Sequence, residues 1–366
     1  MKLALAAVIA LLTLESVQAQ NIPYPADNRA VTYIASVGIG SPPTYYDLII
    51  DTGSSNTWIG ANKAYVRTST SQKTADSVSE NNIRVEYGSG SFDGAEYIDK
   101  VTLASNLVLS EQSIGVASTS KGFNDVDGIL GLGPTNLTLG TLSPDTNSAV
   151  PTVVDNLFAQ RTIGADVFGV SFEPITNSSG TQVNGEISFG GTDSSKFTGN
   201  ITYTPITTTS PASDYWGIDA SLTYGSDAIL STTAGIVDSG TTLLLLATDA
   251  FNKFQSATGG VHDEATGLLS LNSTQFDNMK SLFVNINGVP FELTPNALIW
   301  PRILNTAIGG TAGNIYLIVR DNGANRGSGL DFILGQVFME RFYTVFDNGN
   351  KQVGFATTTF TTATTN

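Results

Sequence analysis

Apolar residues along most of this chain fall in short runs broken by Gly, Pro, Ser and Asn, the pattern of strands and turns. The clearest runs are residues 32–40 (TYIASVGIG), 47–51 (DLIID), 82–104, 185–191 (GEISFGG) and 200–206 (NITYTPI). They are rich in β-branched and aromatic residues, which suit a pleated surface. Helical spacing occurs twice. Residues 151–163 (PTVVDNLFAQRTI) open on a proline and carry Val153, Val154, Leu157 and Phe158 at helical spacing. Residues 247–260 (ATDAFNKFQSATGG) offer Thr248 as a cap, Phe251 and Phe254 as an apolar face and glycine as a stop. The pattern predicts an all-β protein with a few short helices.

The pattern also repeats itself. LIIDTGSSNTW (48–58) returns half a chain later as GIVDSGTTLLL (235–245): apolar residues, Asp, a hydroxyl residue, Gly, two hydroxyl residues. DGILGLG (127–133) follows the first copy and DFILGQV (331–337) follows the second. A single Asp-Ser/Thr-Gly is an ordinary turn. Two copies with matching context in the same order predict two similar lobes, residues 20–190 and 191–366, related by a pseudo-two-fold axis.

Composition narrows the chemistry. Hydrophobic residues make up 41% and charged residues 13% of the 366, enough for a sizeable core. Lys and Arg number 17 against 32 Asp and Glu, a net charge of −15, which argues against nucleic-acid partners and suits an acidic medium. There is no cysteine and one histidine, His262, in the polar stretch GGVHDEATG. That removes thiol nucleophiles and the usual zinc ligand sets, and no G-x-S-x-G elbow exists for a serine triad. A hydrolase of this composition must use carboxylates as its acid and base. Lys2, the apolar stretch 3–14 and the small residues before Gln20 read as a signal peptide, residues 1–19, so the protein is expected to be secreted. No later stretch is apolar for long enough to span a membrane, and the end TTTFTTATTN indicates no lipid anchor. Asn136, Asn177, Asn200 and Asn272 stand in N-glycosylation sequons.

An apolar strand running into Asp51 carries the carboxylate inward, where it needs hydrogen bonds. Thr52, Ser54 and Ser55 supply hydroxyls and Gly53 admits close backbone; Ser239, Gly240, Thr241 and Thr242 do the same around Asp238. If the two loops meet on the axis, the aspartates face each other, cannot both ionise, and hold one proton between them. One carboxylate then accepts a proton from water while the other donates one to a carbonyl oxygen.

With these residues in view the chain resembles the pepsin-like aspartic proteases over nearly everything after the signal peptide. The family motif matches Asp51–Ser54 and Asp238–Thr241, which implies a catalytic dyad of Asp51 and Asp238 in a bilobal acid-protease fold. The hydrophobic-hydrophobic-Gly motif matches Ile129–Gly131 and Ile333–Gly335, implying crossed loops beneath the dyad. YGSGS (87–91) matches the flap hairpin, with Tyr87, Gly88 and Ser89 over the substrate and Trp58 as the hydrogen-bond partner of Tyr87. Tyr215, in YW (215–216), matches a wall of the cleft. The hydroxyls of Ser54 and Thr241 are expected to bond their own aspartates, and those of Thr52 and Ser239 to brace one loop against the other. The resemblance implies an endopeptidase acting between bulky apolar residues on polypeptides bound extended, inhibited by pepstatin, with no cofactor and no metal. A monomer is expected, since the repeat supplies the two-fold symmetry.

Two departures stand out. Family members are usually made with a basic prosegment of several dozen residues. Here only Gln20–Ala30 lies between the signal peptide and the first matching strand, with one Arg and no Lys. Either a segment is missing from the sequence or the protein folds and is regulated without it. Ser239 replaces the commoner threonine but keeps the hydroxyl. Two other readings are open: a catalytically weak or inactive pepsin-like binding protein, and an acidic glycosidase, which also uses two carboxylates. The paired hydroxyl-glycine loops argue against the second.

Overall fold

The computed structural model describes residues 21–76, 79–80, 82–176 and 181–366. The signal segment and Asn177 fall outside them.

Strands dominate, as the pattern predicts. TYIASVGIG becomes Tyr33–Ile39, DLIID ends the strand Thr44–Asp51, GEISF of 185–191 ends Gln182–Phe189, and NITYTP of 200–206 ends Thr198–Pro205. Residues 82–104 resolve into a hairpin, Asn82–Glu86 paired antiparallel with Ser91–Ala104 through Glu86↔Ser91. The Tyr87 amide closes its tip on the Gly90 carbonyl at 2.7 Å.

Each aspartate sits at the end of an apolar strand, and the two surroundings are built alike. Thr44–Asp51 runs parallel to Gly128–Gly131, with Gly131 beside Asp51. Gly128–Gly131 in turn pairs antiparallel with Trp58–Ile59, the strand that leaves the aspartate loop. In the second half Asp227–Val237 runs parallel to Phe332–Leu334, which pairs antiparallel with Leu244–Leu246. Gly131 and Gly335 are required here. A Cβ on Gly335 would strike the carbonyls of Thr241 and Leu243, and one on Gly131 the backbone of Ser55 and Asn56.

The halves are also joined by main chain. Val167–Ser171 pairs with Phe342–Asp347, which pairs with Gln352–Thr357 and through it with Thr198–Pro205. Strands from beyond residue 190 thereby complete a sheet that reaches back to Ile22–Asn28. An indole from the second half, Trp216, donates to the Leu132 carbonyl of the first at 2.9 Å in a fully buried contact.

Both predicted helices exist, with corrections. The first is Val153–Ala159; its cap is Thr152, in a reciprocal capping box with Asp155. Val153, Val154 and Leu157 are buried, but Phe158 is 44% exposed, because it stands off the narrow stripe the other three form. The second is Thr248–Thr258, and Thr248 is not its cap. Ala247 takes that position, while the Thr248 hydroxyl bonds Asp321 at 2.7 Å, out of reach of the helix's own amides. Gly259 ends this helix in the left-handed conformation, φ 70°.

Candidate active site

The two aspartate loops meet, and each is wired to the other. The Thr52 hydroxyl donates to the Val237 carbonyl at 3.0 Å and accepts from the Ser239 amide at 2.9 Å. Reciprocally, the Ser239 hydroxyl donates to the Ile50 carbonyl at 2.8 Å and accepts from the Thr52 amide at 3.0 Å. Both side chains are fully buried. Four hydrogen bonds between hydroxyl and backbone in the interior fix the relative position of the two turns tightly, because breaking any one strands a buried polar group.

Above this brace the carboxylates are held in matching ways. Asp51 accepts from the Gly53 amide at 2.9 Å and the Ser54 hydroxyl at 2.5 Å. Asp238 accepts from the Gly240 amide at 2.8 Å and the Thr241 hydroxyl at 2.5 Å. The glycines explain how the acids approach each other. A Cβ on Gly53 would collide with the Asp238 carboxylate, and one on Gly240 with that of Asp51. Each acid thus occupies the space the opposite loop leaves by lacking a side chain.

Asp51 is buried and Asp238 half-buried. The pKa of Asp51 is pushed up to about 8, first by burial and then by the negative charge of Asp238, against the pull of the Ser54 hydroxyl and the Gly53 amide. Hydrogen bonding with the Asp238 carboxylate adds to the rise.

The flap residues lie over the site. The Tyr87 phenol is held well above its ordinary pKa, by burial first and then by the charge of Asp51. The expected hydrogen bond between Tyr87 and Trp58 is not made. Trp58 and Ser54 lie near enough to pull on the phenol's pKa, yet the Tyr87 hydroxyl and the Trp58 indole N–H are both buried and complete no hydrogen bond. The physical link is Phe123, which the motif reading missed. Its ring stands edge-on to Trp58 at 4.8 Å and edge-on to Tyr87 at 5.4 Å, while Phe92 stacks on Trp58 at 4.2 Å. The one local signal was Gly122 before it. Gly122 has φ 88°, and a Cβ there would strike the Ser89 carbonyl in the flap. Gly88 and Ser89 are exposed at the tip, and nothing lies within 4 Å of the Cβ that Gly88 lacks. Tyr215 is half-buried after a short 3-10 turn; its phenol is raised by burial, then by Asp214, Asp238 and Asp51, so it lies in the field of both acids. Among the described residues no group of three or more His, Cys, Asp or Glu side chains is arranged to hold a metal ion.

The chain matches the eukaryotic aspartyl protease family over residues 32–358. It is 61% identical to polyporopepsin of Irpex lacteus, over 93% of this chain and 98% of that protein. It is 32% identical to cathepsin E of Rattus norvegicus, over 88% of this chain and 79% of that one. The crystal structure of the aspartic proteinase from Irpex lacteus superposes with a TM-score of 0.92 at 59% identity, covering 94% of this chain and 100% of the other. Fold, motifs and relatives agree: this chain belongs to the pepsin-like eukaryotic aspartyl proteases and is an aspartic endopeptidase.

Proposed function

We propose that Asp51 and Asp238 form the catalytic dyad of a secreted acid endopeptidase. The observation that carries this reading is the reciprocal packing of each carboxylate into the place of the other loop's missing Cβ. In the resting pair Asp51 keeps the proton, in keeping with its deeper burial and raised pKa, and Asp238 is the ionised partner. Asp238 takes a proton from a water between the two, which attacks the scissile carbonyl. Asp51 gives its proton to the carbonyl oxygen as charge develops there, forming a gem-diol. Asp238 then passes the proton it took from water to the peptide nitrogen while Asp51 takes one back from a diol hydroxyl, the C–N bond breaks, and amine and carboxylic acid leave with the pair restored. Ser54 and Thr241 orient the acids; Thr52 and Ser239 hold the loops in register. The Tyr87 flap excludes bulk water, which strengthens each of these interactions. The peptide lies extended between the flap and the loops at Gly53 and Gly240, and Tyr215 lines one wall of its site.

The substrate class is polypeptide with bulky apolar residues at the cleaved bond. Ser89 is uncharged at the flap tip, so a lysine before the bond finds no counter-ion there. Of two peptides differing only as Phe or Lys at that position, the lysine peptide is cleaved at least tenfold more slowly; equal rates would contradict this. The enzyme acts as a monomer and binds pepstatin-type inhibitors. No helix among the described residues is long and apolar enough to cross a membrane. Asn136, Asn200 and Asn272 are exposed, which supports glycans at those positions.

The test is amide replacement. Asp51→Asn and Asp238→Asn each lower haemoglobin hydrolysis near pH 3 by on the order of 1,000-fold, with unchanged circular dichroism, and pepstatin abolishes the native activity. Undiminished cleavage by either variant, or cleavage indifferent to pepstatin, overturns the reading.

A further inference from the structure

The Asp238 loop has an outer support that the Asp51 loop lacks. Ser55, the counterpart of Thr242, donates within its own half to the Pro134 carbonyl at 2.6 Å. Thr242 instead reaches into the first half and donates to the Val31 carbonyl at 2.5 Å. Leu132 follows the first hydrophobic-hydrophobic-Gly motif, whereas Gln336 follows the second and donates to the Ala30 carbonyl at 3.3 Å. Ala30 and Val31 form the tip of a hairpin whose base is the pair Asn28↔Tyr33. Ala30 is in the left-handed region at φ 70°, unusual for alanine, so the tip is held against its own preference.

The base of that hairpin meets a buried acid. Glu340 is 8% exposed, and its Oε1 accepts from the Tyr33 hydroxyl at 3.1 Å and the Asn28 amide nitrogen at 3.3 Å. Gln336 and Glu340 stand at opposite ends of one helical turn, Gln336–Met339, closed by the Glu340 amide on the Gln336 carbonyl at 2.7 Å. One turn of helix therefore grips the hairpin twice: at its tip beside the Asp238 loop, and at its base through a carboxyl group.

The groups facing Glu340 are few. Tyr33 and Asn28 come from the hairpin. Arg341 is its neighbour; its Nη1 donates to the carbonyls of Phe360 and Ala363 at 3.1 and 2.9 Å, its Nη2 is buried and completes no hydrogen bond, and no ion pair with Glu340 forms among the described residues. Glu173 presents its backbone, with its carbonyl accepting from the Tyr33 hydroxyl at 2.7 Å and its amide donating to it at 3.2 Å. The Tyr33 hydroxyl has one proton and two acceptors, the Glu173 carbonyl and Glu340. Burial raises Glu340 to about 7, against the charge of Arg341 and the hydrogen bonds of Tyr33 and Asn28. An ionised Glu340 competes for the Tyr33 proton and draws water into a dry site.

We propose that the hairpin Asn28–Tyr33 is a proton-operated latch on the Asp238 loop, closed while Glu340 is neutral and slackened when it ionises. Glu340 and Gln336 act as positioning residues, through the hairpin and Thr242, and touch no substrate. The latch rests on the dyad reading only for its activity readout.

The experiment holds the full chain at pH values from 3.5 to 8.5 for a fixed time, records near-ultraviolet circular dichroism, returns it to pH 3.5 and assays peptide cleavage. The native chain loses both signals with a midpoint near pH 7. Glu340→Gln, which mimics the neutral acid, matches the native rate at pH 3.5 and moves both midpoints up by about one pH unit. Thr242→Val, in an otherwise native chain, moves the midpoints down. Unchanged midpoints in Glu340→Gln overturn the latch; if that variant does not fold, unchanged midpoints in Thr242→Val do so. A native chain without activity at pH 3.5 would instead contradict the dyad, while the dichroism midpoints would still test the latch.

Discussion

At the scale of single residues, two glycines decide whether the chemistry is possible. Gly53 and Gly240 lie where a side chain would displace the opposite carboxylate. Gly53→Ala and Gly240→Ala therefore lower kcat by on the order of 100-fold or more, with little change in circular dichroism; near-native kcat in either would show that the acids do not need this approach. These residues were legible because the motif is contiguous and occurs twice, so the sequence carries its own comparison. Thr242 was read as a hydroxyl for Asp238 but bonds Val31 instead, and Gln336 and Glu340 were not legible at all. Their partners, Val31, Ala30 and Tyr33, lie some 200 to 300 residues away, and no local pattern announces a contact that only the closed fold creates. The Trp58–Tyr87 hydrogen bond was expected from a motif, yet packing against Phe123 governs both rings.

At the scale of elements, strands were read more securely than helices. Short runs rich in β-branched and aromatic residues and bounded by Gly, Pro, Ser and Asn mark a whole strand, so the runs at 32–40, 47–51, 185–191 and 200–206 announced themselves. The helix at 153–159 spans barely two turns, and with so short an apolar stripe Phe158 was assigned to the wrong side. Thr248 looked like a cap because local spacing cannot reveal that Asp321 claims its hydroxyl. The flap hairpin makes the sharpest element-level prediction. Phe123 touches it edge-on at Tyr87 and ties it to Trp58 by a second edge-on contact, each worth about 0.5–1.5 kcal/mol. Phe123→Ala loosens the flap, and KM rises roughly tenfold with a smaller fall in kcat, measured on one apolar peptide. An unchanged KM would mean that the flap orders itself without Phe123.

At the scale of the whole molecule, acidity is built into stability. Asp51 is raised to about 8 and Glu340 to about 7, both chiefly by burial. An acid with a raised pKa in the fold favours the protonated native state. Its stabilising contribution is complete below the ordinary carboxylate range and is lost as pH climbs through the raised value. At ~1.4 kcal/mol per pH unit, the two acids remove several kcal/mol between about pH 4 and pH 8. The net charge of −15 adds self-repulsion at neutral pH. Asp99 opposes this trend. Despite its burial, the hydroxyls of Thr70, Tyr65 and Ser71 and the Lys100 amide hold its pKa down, so its contribution fades only as pH falls below the ordinary range. The melting temperature is expected to be higher at pH 4 than at pH 8 by on the order of 10 °C; calorimetry giving a flat or reversed profile would refute the account.

The sheet that runs from Ile22–Asn28 through Val167–Ser171 to Phe342–Asp347 has a temporal consequence. The ribosome releases the first half long before the strands that cover its edge exist. Until residues past 342 emerge, Val167–Ser171 presents bare amides and carbonyls along one side, an invitation to wrong partners. Maturation of this enzyme is therefore a race between synthesis of the stretch from Phe172 to Asp347 and misassembly of what came before, and whatever shields that margin in the meantime governs yield.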